Sequence, residues 1–274
     1  ICNTYSKTFI DRVVPVTMRL FNMSFMLESN ECSSFLEFIT TLIKKDPISF
    51  QPYIESIVEM LFEILKGVLS NRLATIEVIR ILSVFCNEPD FTEFILDSTF
   101  PFIFDLFDSE NSYLVLIGLD FLAALVSPLE NSLLPMEIIQ PVFEKFIENI
   151  TNSLPSNNEE DEENKFIFSE SMDSIMTSLA FFARSFSPSP FTPIICQWFV
   201  NAFDCIRKSD FSYLPSCIVH LFLNISEHEH DVELMKFLFN SVMNDDMIEE
   251  ETNHRFKYSV ALSLCSLLLN DGDY

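Results

Sequence analysis

Residues 50–86 read FQPYIESIVEMLFEILKGVLSNRLATIEVIRILSVFC. Within them Ile54, Ile57, Val58, Leu61, Phe62 and Leu65 recur at i, i+3, i+4, i+7, i+8 and i+11, a single stripe on a 3.6-residue helix. Leu73, Ile76, Ile79, Leu82 and Val84 continue with similar spacing after the polar break at Ser70 and Asn71. The stretch therefore predicts two amphipathic helices joined by a short turn. Neither can cover its apolar stripe alone, so each needs a neighbour.

The same pairing recurs along the chain. First helices are predicted near 9–26, 50–66, 92–107, 135–151, 190–206 and 229–243, with partners near 31–44, 70–86, 111–126, 169–185, 210–225 and 250–269. Successive starts are separated by 41, 42, 43, 55 and 39 residues. A helix pair every ~40–47 residues is the period of HEAT and armadillo repeats. The expected class is all-α: a HEAT/ARM-like α-α superhelix of about six pairs forming one segment over 1–274. Its repeats would be 9–44, 50–86, 92–126, 135–185 with an acidic insertion at 152–168, 190–225 and 229–269. One compact helical bundle is the competing arrangement.

In the third pair, the turn after Asp108 should leave Leu114, Gly118, Leu122 and Leu125 facing inward. Prolines recur early in first helices (Pro15, Pro52, Pro101, Pro141, Pro193), where they cost little in the first turn and bend the helix if deeper.

Composition narrows the function. Three glycines in 274 residues, Gly67, Gly118 and Gly272, leave no way to write a dinucleotide fingerprint or a P-loop. A net charge of −25 opposes direct binding of nucleic acid and favours a basic protein partner. Thirty Phe, with abundant Leu and Ile, supply ample apolar surface for a core. The most apolar stretches fall short of the ~20 residues a membrane span needs, so no membrane insertion is expected.

Seven cysteines (2, 32, 86, 196, 205, 217 and 265) stand singly among apolar neighbours without a CxxC. That usage fits small buried hydrophobes in a reducing compartment, the cytoplasm or nucleus. The chain opens at Ile1 in mid-pattern, which reads as a piece of a longer protein.

An ordered series of motifs resembles the importin-β superfamily of karyopherins, nearest its importin beta-3 type. FLEFITTLIKKDPISFQPYIESIVEMLFEIL (35–65) is similar to that branch's P-x-x-F-x-P-[YH]-[IL]-E junction, and NRLATIEVIRILSV (71–84) to its R-x-x-A-[LI]-E-[VF]-[IL] helix, with Arg72 and Glu77 in place. NNEEDEEN followed by SESMDSIMTSLA (169–180) resembles the family's acidic loop and the helix after it. SDFSYLPSCIVHLFLNIS and HRFKYSVALSLCSLLLN are similar to later second helices, with Phe211 for the usual Trp and Lys257 for Arg. Residues 88–135 depart from the pattern.

The resemblance implies a HEAT-repeat carrier without catalytic activity or cofactor. It implies binding to basic cargo proteins, to the GTP form of the small GTPase Ran and to FG nucleoporins, as the carrier moves between cytoplasm and nucleus. It makes Glu159, Glu160, Asp161, Glu162 and Glu163 the protein-binding acidic loop. The alternative is a HEAT or armadillo scaffold subunit of a phosphatase or cytoskeletal assembly.

Other features have plainer readings. The 159–163 run repels itself and stays solvated, so it is at least a surface loop. A second acidic region, 227–252, holds nine acids against Lys236; it is solvated, or it extends the stripe for basic cargo. His228 and His230 at i and i+2 point apart, and with His220 and Cys217 they lack the spacing of a metal site. No Cys–His pair is singled out with a base and an orienting residue, and no catalytic residue is assigned.

Trp198 reads as core within IICQWFVNAF. The sequons at Asn22, Asn149 and Asn224 fall on or near predicted helices. Ser187 and Ser189, each before a proline, read as an interrepeat loop.

Overall fold

The computed structural model describes residues 12–24, 29–129, 134–154, 170–185, 189–195, 197–198 and 201–202. Among the described residues the elements are α-helices α1 (Val14–Ser24), α2 (Ser29–Ile43), α3 (Ile54–Val68), α4 (Arg72–Cys86), α5 (Pro89–Phe107), α6 (Ser112–Val126), α7 (Met136–Asn152) and α8 (Met172–Arg184). A 3-10 helix, Pro47–Tyr53, precedes α3, and none of these residues lies in a strand. The described part of the chain is all-α, and its helices pack against one another. Most of the repeats predicted at 190–225 and 229–269 lies outside the described residues.

Local chemistry sets the boundaries. Asn71 is in extended conformation and its side chain accepts from the Ala74 amide at 3.2 Å, capping α4. Thr75 Oγ1 donates to the Val68 carbonyl at 3.0 Å, which ties α4 to the last turn of α3. Pro89 occupies the first turn of α5, where its missing N–H is no loss. Thr92 Oγ1 then reaches back to Cys86 O (2.8 Å) and Glu88 O (3.0 Å), closing the α4–α5 corner.

Pro101 differs from the sequence reading. It lies deep inside α5, which begins at Pro89. There the ring removes one backbone bond of the helix, and Thr99 Oγ1 donates to Ile95 O (2.7 Å) and Leu96 O (3.3 Å) in the turn before it.

By its packing the chain divides into two compact units, Ile1–Ser109 with Asp120–Leu129, and Glu110–Leu119 with Glu130–Tyr274. In the first unit each helix meets its sequence neighbour and also its counterpart in the next pair. α1 packs on α2 and α3 on α4, while α1 also packs on α3 and α2 on α4. The pattern continues into α5 and the second half of α6. Phe62 of α3 meets Phe102 of α5 edge-on at 5.6 Å, and Phe102 meets Phe121 of α6 at 6.1 Å. Arg72 of α4 pairs with Asp120 of α6 at 3.2 Å, and Ser83 Oγ donates to Ala124 O at 2.7 Å.

α4 is largely enclosed. Ala74, Thr75, Val78, Ile79, Ile81, Leu82, Phe85 and Cys86 are all buried. This arc is turned from the predicted stripe: Leu73 is 68% exposed and Ile76 only partly covered, while Glu77 is buried. A helix with neighbours on several sides buries more than one stripe, so apolar spacing alone did not select the face. In α6, Gly118, Leu122 and Leu125 are buried as expected, and Leu114 is half-buried.

The second unit centres on aromatic rings. Phe143 packs on Phe182 (5.1 Å) and Phe191 (4.3 Å), and Phe146 on Phe182 (5.5 Å). Ser189 Oγ donates to Phe182 O at 2.9 Å and accepts from the Phe191 amide at 3.3 Å, pinning the turn after α8.

Two stability measurements test this burial pattern. Phe182→Ala should lower the unfolding free energy by about 3–5 kcal/mol, whereas Leu73→Ala should stay within about 0.5 kcal/mol of the parent; urea unfolding of both variants decides it. Gly67 lies in α3 with open space where a Cβ would stand. Gly67→Ala should therefore raise stability by about 0.5–1 kcal/mol, read in the same experiment.

Candidate functional site

Acidic residues are arranged in rows on three of the first helices, α3, α5 and α7, whereas α1 carries none. α3 exposes Glu55, Glu59 and Glu63 at i, i+4 and i+8. α5 exposes Asp90, Glu93, Asp97 and Asp105, and α7 exposes Glu137, Glu144 and Glu148. Helical spacing puts neighbours of this kind on one face. Only the ends of the rows are partly neutralised: Lys66 holds Glu63 at 2.6 Å and Lys145 lies 3.8 Å from Glu148. No ion pair joins Asp90, Glu93, Asp97 or Asp105 of α5 to another described residue.

Helix stability accounts for part of this. Glu55, Asp90 and Glu137 sit in first turns, where the helix dipole favours a negative charge. Glu59, Glu63, Glu93, Asp97, Glu144 and Glu148 lie beyond that turn. There the dipole offers nothing, and like charges at i, i+4 cost a few tenths of a kcal/mol. Those acids weaken their own helices slightly and create a negative field over the exposed face.

Second helices treat charge differently. On α4, Glu77 is buried with one carboxylate oxygen bonded to Arg80, and Arg72 pairs with the half-buried Asp120 of α6. The described acids left exposed on second helices are Glu31 and Glu37 on α2 and Asp173 on α8. The denser negative surface therefore belongs to α3, α5 and α7.

The loop expected to bind protein, Glu159 to Glu163, lies outside the described residues, as do the nine acids of 227–252, the four histidines and Cys217. Trp198 is described and buried. Asn149 sits on α7 with Thr151 Oγ1 bonded to Ile147 O at 2.6 Å. Among the described residues no group of His, Cys, Asp or Glu is placed to hold a metal, and no helix is long and apolar enough to cross a membrane.

The rows on α3, α5 and α7 were not singled out in the sequence, which drew attention to contiguous acids. The signal that would have found them is the i, i+4 recurrence of Glu between apolar positions, as in IESIVEMLFEIL. No known protein family, curated protein or solved structure matches the chain.

The two cysteines with described side chains behave as core. Cys32 and Cys86 are free thiols, both buried. Loss of water around the thiolate raises the pKa of both, and that of Cys86 is pushed up to about 12 from 9.0. Native Cys86 should resist iodoacetamide at pH 8 and react fully in denaturant, as peptide mapping would show. The linkage runs in one direction: an unfolded thiol ionises above pH 9 while the folded one stays protonated to about 12. Stability should thus decline with rising pH across that window, and Cys86→Ala should flatten the decline in urea titrations at stepped pH.

Proposed function

We propose that the chain is a non-catalytic protein-binding solenoid of stacked helix pairs that holds basic segments of partner proteins on its acidic faces. The observation that carries the reading is the double contact made by the pairs of the first unit. First helices touch first helices (α1 with α3, and α3 with α5 through Phe62 and Phe102), and second helices touch second helices (α2 with α4, and α4 with α6 through Arg72 and Asp120). Pairs joined this way can be added indefinitely, because each leaves an apolar flank for the next. Such an array aligns equivalent faces, so the acids of α3 and α5 join into a continuous negative surface.

Attraction between exposed charges is about 1 kcal/mol per contact at 4 Å in water. It is screened over ~8–10 Å at ordinary salt. Binding on such a surface depends on several contacts at once and weakens sharply with salt. The resemblance of residues 35–84 and 159–180 to importin-β karyopherins supports nuclear import as the setting of this activity. Basic cargo is taken up in the cytoplasm and released when Ran-GTP engages the carrier in the nucleus, with the 159–163 loop contributing to that exchange. FG nucleoporins would be contacted during passage.

Two measurements test the proposal. A compact 274-residue chain has a radius of gyration of about 19 Å, and small-angle scattering should give a clearly larger value; a value near 19 Å would select the bundle. Binding is then titrated by fluorescence anisotropy with a Lys/Arg-rich peptide, a Ser-substituted control peptide, and Ran loaded with GTP or GDP, at low and physiological ionic strength.

The parent should bind the basic peptide, and Glu55→Lys/Glu59→Lys/Glu63→Lys should weaken that binding by tenfold or more. Replacing residues 159–163 with Ser should reduce GTP-selective Ran binding. Equal binding of the Ser control would overturn the acidic-face reading. Basic-peptide binding without any response to Ran-GTP would point instead to a HEAT or armadillo scaffold outside transport.

A further inference from the structure

We draw no further inference here: the strongest candidate, the buried carboxylate of Glu77 on α4 with one oxygen bonded to Arg80 and the other meeting no donor, is already neutralised by that guanidinium, and nothing in the structure shows a ligand reaching the enclosed oxygen.

Discussion

The first unit depends on the enclosure of α4. This helix is gripped by α2, α3 and α5 and tied to α6 by Arg72–Asp120 and Ser83–Ala124. Burying Val78, Ile79, Ile81, Leu82 and Phe85 removes large apolar side chains from water, each worth ~1.5–3 kcal/mol when fully covered. That drive is non-directional, so it collapses the helices without choosing their register. Register comes from the polar ties at the edges, where a bond made at the wrong offset would leave a buried donor or acceptor unsatisfied. Asn71, Thr75 and Thr92 do this locally at the ends of α3, α4 and α5, while Arg72 and Ser83 act across 48 and 41 residues of chain.

The two units reach the same end by different means. The first mixes aliphatic side chains with edge-on ring contacts, such as Phe50 with Phe85 and Phe85 with Phe91. The second concentrates Phe143, Phe146, Phe181, Phe182 and Phe191 into one aromatic cluster. Rings of this size bury much area per residue and add an orientation preference through their quadrupoles. This gives the buried Phe among the described residues a packing role that requires no ligand. Low glycine content follows from the same architecture, since packed helices seldom need positive φ away from their ends.

Charge is partitioned by role. Acids with a structural task are buried or half-buried beside an arginine, as in Glu77–Arg80 and Asp120–Arg72. Those on the exposed faces of α3, α5 and α7 are mostly unpaired, and beyond the first turn they gain nothing from the helix dipole. An excess of like charge on one surface opposes compaction and favours solubility and association with an opposite charge. The proposed attachment of basic segments would offset that self-repulsion.

Helix class and approximate helix positions were legible because both are written in short-range spacing. The apolar recurrence of 54–65 and the polar break at Ser70 and Asn71 each act within a few residues of themselves. The net charge and the absence of a phosphate-binding glycine loop were equally readable. Three-dimensional packing alone decided that Leu73 stays in water while Glu77 is enclosed and that Asp120 meets Arg72. Periodicity orients a helix only relative to its own residues. Which arc becomes interior depends on how many neighbours arrive and from which side, and those neighbours are dozens of residues away in the chain.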